Sequence, residues 1–365
     1  MDFSINKNEF LSALTTLSKI TPNRTTLPVL SSAFIKAEEN KISIRTTDLE
    51  LEMVFLLEGT VLKEGEVCAP IHKLLEITQN ILDNEISVHV NETNRMRIKN
   101  SKGKYLMACT GTEDFPEKRN NEQGEQKIST EFLQSTIKNT TYCCSKDELK
   151  PVLGGVSVSF SKSNVTSVAT DGHRLARFIY PQENTTTTNI IVPQKFLNII
   201  STGSINLKKA ELSTTENYIT IQTQGQTLSC RLITEKFPDY EAVIPQDNTN
   251  TTTINTQEFL GAVKRVALMS NKSTKQIVLN VSNNKIELSA EDHETGGSAT
   301  EELFAQHQGE EVSIGFNSSL LLEILKHQKT EQTDLLTSGP LNAALIQQKE
   351  EDTTQTTTLL MPIRI

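Results

Sequence analysis

INKNEFL at residues 5–11, ISTEFL at 128–133 and INTQEFL at 254–260 repeat one signal: a short β-like stretch, a Ser, Thr or Asn fit to cap a helix, then Glu-Phe-Leu. Glu9, Glu131 and Glu258 stand about 122 and then about 127 residues apart. Apolar residues follow at helical intervals, as Phe10, Leu14 and Leu17 do, so each signal opens an amphipathic helix. Self-similarity at that period means one α/β unit written three times over.

A second triplet lies about 65 residues after each of the first: EVCAPIHKLLEI at 66–77, NIIVPQKFLNII at 189–200 and VSIGFNSSLLLEI at 312–324. Each runs from an alternating strand into a helix, with Leu75, Leu197 and Leu322 read as equivalent, and Pro70 and Pro193 just ahead of the helix, where proline is tolerated. Six helices result. Between them, period-two alternation at 41–46, 156–160, 218–223 and 277–281 marks strands. Each unit therefore reads as β-α-β-β-β twice, an α+β chain with more strand than helix. Polar stretches at 117–126 (EKRNNEQGEQ) and 246–252 (QDNTNTT) lack periodicity and read as linkers, dividing the chain at 1–122, 123–250 and 251–365. The threonine tracts at 185–188 and 353–358 read as loops or hairpin tips.

Composition narrows the class. A chain of 365 residues, 36% hydrophobic, supports two or three packed domains, and no run of about 18 apolar residues is present to span a bilayer. Met1-Asp2-Phe3-Ser4 lacks the basic and then apolar residues of a signal peptide, so a cytoplasmic protein is expected. The five cysteines are scattered, and the neighbours Cys143 and Cys144 could bridge only with strain, which points to ordinary thiols in a reducing compartment. A net charge of −9 argues against tight binding of nucleic acid by overall attraction.

Catalytic motifs are missing from the sequence. It has no Gly-x-Gly-x-x-Gly, phosphate loop, Gly-x-Ser-x-Gly or His-Glu-x-x-His, and its six histidines are isolated from one another. No metal or cofactor is expected. The most enzyme-like cluster is Asp171-Gly172-His173-Arg174, which keeps open a DNA-modifying hydrolase using Asp171 and His173. Its first reading is a hairpin turn in which Asp171 caps the backbone and Gly172 takes a positive φ. The corresponding places in the other units are Thr47-Asp48-Leu49-Glu50 and Glu291-Asp292-His293-Glu294, so the second unit carries one specialised turn among three. A repeat scaffold that binds only other proteins is the third reading.

TLPVL at 26–30, TDLELEM at 47–53, ATDGHRLA at 169–176, FPDY at 237–240 and the terminal LMPIRI at 360–365 together resemble the bacterial sliding-clamp family, the β subunits of DNA polymerase III. The resemblance runs from the first residue to the last. It implies a non-catalytic, head-to-tail homodimeric ring of clamp domains, helices inside and antiparallel sheets outside, which encircles duplex DNA and confers processivity. Implied partners are duplex DNA without regard to sequence, a second copy of the chain, the replicative polymerase catalytic subunit, the clamp-loader ATPase, and other polymerases and repair proteins bound through short apolar peptides. Geometry favours a pair of chains. Helices about 10 Å wide set around a hydrated duplex roughly 20 Å across leave room for roughly twelve, twice what one chain supplies.

The resemblance also assigns residues. Tyr105 and Met107 on one side, with Leu268 and Met269 on the other, match the apolar part of the dimer contact; the latter two also fit a buried helix end. About fourteen Lys or Arg on and around the six helices outnumber about eight Asp or Glu, which places the acid excess elsewhere and makes the bore mildly positive. Arg24, Lys73, Lys138, Lys150 and Lys264 are the candidates for phosphate contact, each also consistent with a solvated helix face. The family often carries Arg or Gln around residues 147–152, where this chain has Asp147-Glu148-Leu149-Lys150-Pro151-Val152. The partner-peptide site maps to Leu153, Thr170, Gly172, His173, Arg174, Leu175, Pro238, Val243, Leu341, Leu359, Met361, Pro362, Ile363 and Arg364, with His173, Arg174 and Arg364 as a polar rim. Taken singly, Leu153, Leu175, Val243 and Leu359 also suit plain core. Ala242, Thr274 and Ala343 depart from the family's larger, polar or aromatic residues there.

Overall fold

Each Glu-Phe-Leu signal turns out to anchor a helix in a core: Phe10, Phe132 and Phe259 are all fully buried. Burying one such side chain stabilises by roughly 2–3 kcal/mol. Asn6 and Asn255 cap the first and third of these helices, each through its side-chain oxygen accepting two backbone N–H bonds at 2.9–3.3 Å. In this computed structural model the described residues are 1–22, 25–119, 126–184, 187–348 and 355–365, with Gln126 and Lys127 described by backbone alone.

The first repeat runs β1 (Asp2–Asn6), α1 (Lys7–Leu17), β2 (Ser32–Glu38), β3 (Lys41–Thr47), β4 (Leu51–Glu58), β5 (Thr60–Lys63), β6 (Gly65–Pro70), α2 (Ile71–Gln79), β7 (Glu85–Val90), β8 (Arg95–Lys99) and β9 (Lys104–Ala108). The second runs β10 (Gln126–Lys127), α3 (Thr130–Thr140), β11 (Gly155–Phe160), β12 (Asn164–Thr170), β13 (Arg174–Pro181), β14 (Thr188–Pro193), α4 (Gln194–Ser201), β15 (Glu211–Thr214), β16 (Tyr218–Gln222) and β17 (Gln226–Arg231). The third runs β18 (Asn250–Asn255), α5 (Thr256–Val266), β19 (Gln276–Ser282), β20 (Lys285–Asp292), β21 (Gly297–Gln308), β22 (Val312–Asn317), α6 (Ser318–His327), β23 (Gln332–Thr337), β24 (Ala344–Gln348) and β25 (Gln355–Leu360). The expected β-α-β-β-β unit thus occurs twice in each repeat, with the short β5 as an addition.

Within a repeat the two halves exchange their leading strands. β1 pairs with β7 and β6 with β2; β14 pairs with β11 and β10 with β15; β22 pairs with β19 and β18 with β23, all antiparallel. Neither half can close its sheet without the other. Sheets then continue from repeat to repeat, because β17 pairs with β4 and β13 with β25. The result is a five-stranded sheet (β5-β1-β7-β8-β9), an eight-stranded one (β10-β15-β16-β17-β4-β3-β2-β6) and a twelve-stranded one (β14-β11-β12-β13-β25-β24-β23-β18-β21-β20-β19-β22). The described residues form two compact units, Met1–Thr130 with Lys195–Leu232, and Glu131–Gln194 with Ile233–Ile365. Strand pairing therefore shares the second repeat between the two units.

Several sequence expectations need correction. Helix starts make Leu74, Leu197 and Leu321 equivalent, and these are the buried ones, whereas Leu75 and Leu322 are only half-buried. The spacing had placed the leucines of α2 and α6 one residue too late. Of the threonine tract at 353–358, residues 355–358 lie in β25, where Thr357 and Thr358 are paired on both sides and turn their β-branched side chains into the sheet packing. The remainder of that tract, and Thr185 and Thr186 of the other, lie outside the described residues. Asn250, Thr251 and Thr252, read as linker, open β18, and Gln126 belongs to β10.

Candidate functional site

The turn between β12 and β13 is held by its own side chains. Thr170 Oγ1 donates to the Arg174 carbonyl at 2.7 Å and accepts from Gly172 N at 3.1 Å; Asp171 Oδ1 accepts from His173 N at 2.9 Å and Arg174 N at 3.0 Å. Gly172 sits at φ +89°, where a side chain would be strained. This is the capped hairpin turn expected from the sequence. It removes the hydrolase reading, since both oxygens of Asp171 serve the turn and its arginine. His173 is left exposed at the tip.

Arg174 does not form a rim. It is buried, with Nε on Asp171 Oδ2 and Nη1 on Glu323 Oε2, both at 3.0 Å, and Nη2 on the Tyr142 carbonyl at 2.6 Å. A planar guanidinium offers donors in three directions, and here each meets an acceptor on a different element. The correction has a simple cause: Arg174 opens β13 in phase with inward-facing residues. Tyr142, beneath it, stacks on His327 with ring centroids 4.0 Å apart, and its hydroxyl is 3.1 Å from Thr358 Oγ1. Burial pushes the Tyr142 hydroxyl and the Cys143 thiol well above their ordinary ranges, and Cys144 up to about 12, so this layer stays neutral.

Beside the turn lies an apolar floor. Val168, Leu175, Leu359 and Leu345, one from each of the adjacent strands β12, β13, β25 and β24, are buried together with Ile244. Phe237, Tyr240, Leu336 and Ala343 pack against them half-exposed. Pro238, Val243, Leu341 and Met361 stand exposed. The end of the chain is stitched down: Met361 N donates to the His173 carbonyl and Ile363 N to the Gly315 carbonyl, each at 2.8 Å, while Gln276 Nε2 donates to the Arg364 carbonyl at 3.2 Å. Leu153 is buried, its carbonyl accepting from Ser145 N at 2.8 Å in the one-turn helix Pro151–Gly154. Leu153, Leu175 and Leu359 are therefore core, and Val243 is not. Sequence reading missed Val168, Ile244, Leu345, Phe237, Tyr240 and Leu336. Phe237 and Tyr240 stand in the FPDY stretch, and Val168 is in period-two phase with Thr170 on β12.

Among the basic candidates, Lys138, Lys150 and Lys264 are exposed, and Lys73 is exposed but paired with Glu76 at 2.9 Å. Arg24 lies outside the described residues.

Two sheet edges carry apolar side chains into solvent. Among the described residues β9 has a strand on one side only, and there Tyr105 is exposed and Leu106 is 72% exposed. Met107, on the same face of β9 as Tyr105, is buried instead, at 8%, while Leu106 between them projects from the opposite face. Among the described residues, 297–304 of β21 pair only with β20, and Phe304 is 65% exposed. Leu268 and Met269 are exposed, which removes the buried-helix-end reading. The edges differ in charge. Arg95, Arg97, Lys99, Lys102 and Lys104 lie on and beside β8 and β9; Glu287, Glu291, Glu294, Glu301 and Glu302 lie on and beside β20 and β21. Among the described residues, no group of three or more metal-ligating side chains is present, and no helix is long and apolar enough to cross a membrane.

Comparison with known proteins agrees along the whole chain. Models of the N-terminal, central and C-terminal domains of the DNA polymerase III beta subunit match residues 1–119, 127–239 and 241–364. The beta sliding clamp of Pseudomonas putida is 28% identical, the alignment covering all of both chains. Among solved structures, the Pseudomonas aeruginosa sliding clamp bound to griselimycin is 27% identical with a TM-score of 0.91, and the Bartonella birtlesii clamp bound to the same compound is 26% identical with a TM-score of 0.92, each covered in full.

Proposed function

Because the chain belongs to the DNA polymerase III beta-subunit family, we propose that two copies close head to tail into a ring around duplex DNA and tether the replicative polymerase to it. The chain is a non-catalytic processivity factor of the cytoplasm, with clamp domains at residues 1–122, 123–250 and 251–365. The observation that carries this reading is the succession of three family domains end to end on six β-α-β-β-β units.

Holding DNA by topology asks little of the surface. A few exposed lysines, Lys73, Lys138, Lys150 and Lys264, with Arg24, supply weak, screened attraction to phosphate, which a ring that slides requires. The edges of β9 and β21 supply the ring contact: apolar side chains project from both, unpaired backbone lines both, and the charges are opposite. The floor beneath residues 170–175 receives short apolar peptides of the polymerase, the clamp loader and repair proteins. Val243, Leu341 and Met361 form an adaptable wall and His173 a polar edge. Ala343 and Ala242 leave the floor more open than bulkier residues would. The griselimycin-bound clamps support the presence of a ligand site in the family.

The test is retention on DNA. Loaded by its ATPase, the clamp should stay on nicked circular DNA and leave when the circle is linearised. Retention on both forms would mean ordinary binding and defeat the ring.

A further inference from the structure

The fold builds the docking junction twice, once within each compact unit. In the first, Leu51 of β4 pairs with Cys230 of β17 as Arg174 pairs with Leu360 in the second. Arg231 N donates to the Glu50 carbonyl at 2.9 Å, as Met361 N does to that of His173 at 2.8 Å. The turn repeats bond for bond. Thr47 Oγ1 donates to the Leu51 carbonyl at 2.7 Å, and Asp48 Oδ1 accepts from Glu50 N at 2.9 Å and Leu51 N at 2.6 Å, with Leu49 at φ +77° in the place of Gly172. Phe115-Pro116 follows β9 as Phe237-Pro238 follows β17.

The floors differ. By strand register, the counterparts of Val168, Leu175, Leu345 and Leu359 are Arg45, Glu52, Thr220 and Ser229. Four apolar side chains are replaced by an ion pair and two hydroxyls. Arg45 Nη1 meets Glu52 Oε2 at 3.1 Å, and the pair is 6% and 4% exposed; the guanidinium lies 5.1 Å from the Phe34 ring and 4.9 Å from that of Phe115. Thr220 and Ser229 bond to each other at 3.1 Å. The connecting segment lies on top. Arg119 N donates to Glu52 Oε1 at 3.3 Å, and its guanidinium donates to the Glu50 carbonyl at 3.0 Å and to that of Leu49 while covering Tyr218 at 4.8 Å. In the second junction the counterparts of Arg119 and Tyr218 are Glu241, which is exposed, and Ala343.

We propose that the first junction is a docking site closed from within, in which residues 115–119 sit as an internal ligand on a polar floor and limit each chain to one partner peptide. This rests on the docking reading of the second junction. An apolar side chain entering the first would have to displace Arg119 and strip Glu52 of one donor, leaving a buried carboxylate short of partners. The second floor asks for no such loss.

The test titrates a labelled polymerase-tail peptide, read by fluorescence anisotropy, into three full-length proteins: the wild type, a chain lacking residues 361–365, and that deletion with Arg45→Val, Glu52→Leu, Thr220→Leu, Ser229→Leu and Arg119→Ala. The deletion should weaken binding roughly thirtyfold or more, and the added substitutions should restore it to within about tenfold of wild type. Unweakened binding by the deletion chain overturns the docking reading itself. Lost binding that the folded, dimeric substituted chain does not regain overturns the closed-site proposal alone. Should that chain not fold, Arg119→Ala decides by hydrogen exchange. Amides of residues 115–119 should then exchange about tenfold faster with those of 170–174 unchanged, and equal rates at 115–119 would refute the internal ligand.

Discussion

The backbone of Met361 is bonded to that of His173, N–H to carbonyl at 2.8 Å, so the last residues of the chain and the turn of the second repeat form one surface. A ligand on the apolar floor would meet both at once. His173 contributes its backbone to the fold, while its exposed imidazole belongs to the rim only in the proposed docking reading, so the two roles separate by mutation. His173→Ala should lower peptide affinity roughly five- to thirtyfold, the range of a rim contact. The dimer, checked by light scattering at micromolar concentration, should stay intact. Unchanged anisotropy titrations would remove His173 from the site.

Arg174 predicts a different outcome. Its guanidinium joins the turn to Glu323 of α6 and to the Tyr142 carbonyl, so its loss is first a loss of structure. Glu323 is half-exposed, which softens the penalty, but Tyr142 is buried and the Asp171 side chain is only 16% exposed. Arg174→Ala should destabilise by about 2–4 kcal/mol. Arg174→Lys should recover little of this, because one ammonium cannot reach three acceptors set around a planar fork. Urea unfolding of both variants measures it; a lysine variant as stable as wild type would show that charge alone suffices.

For the ring contact, Leu106 rather than Met107 is the residue to change. Leu106→Asp places a charge on the open edge of β9 without touching the core and should shift the dimer toward monomer by roughly tenfold or more in dissociation constant. Met107→Ala should instead cost about 2–3 kcal/mol of folding stability. Opposite charge on the two edges also predicts faster dissociation at high salt. Sedimentation at two ionic strengths reads both effects, and a Leu106→Asp protein that remains dimeric would place the contact elsewhere.

Repeat number, helix positions and the strand pattern were legible because each rests on local chemistry: a cap, a buried Phe, a period of two. Which strand pairs with which was not, since β1 joins β7 and β4 joins β17 across distances that periodicity does not encode. The same limit explains the site. Gly172 and Asp171 could be read from turn chemistry, but Arg174 looks like a surface cation until its acceptors on α6 and at Tyr142 are placed. Val168 and Leu345 become a floor only when β12, β13, β25 and β24 lie side by side. Tyr105 and Met107 share one strand phase, yet one is exposed and the other buried, a difference that period two does not encode.

Burial of the thiols supplies a prediction with a definite sign. Cys68, Cys144 and Cys230 are pushed up to about 12 and Cys109 to about 11, in each case chiefly by burial. A thiol raised above its ordinary value of 9.0 keeps its proton more tightly in the folded chain than in the unfolded one. Its contribution is therefore fully present below about pH 9 and is lost as pH rises through 9 toward the folded values of about 11 to 12. Two results follow. At pH 8 the folded protein should react slowly with an aromatic disulfide reagent at the four buried cysteines, Cys68, Cys143, Cys144 and Cys230, less slowly at the half-buried Cys109, and rapidly at all of them once unfolded in guanidinium. The thermal midpoint should fall steadily from pH 9 to 11, and this fall should shrink in Cys68→Ala and Cys230→Ala variants. A fast-reacting thiol at Cys68, Cys143, Cys144 or Cys230 in the folded protein at pH 8 would show that one of these buried sites opens to solvent.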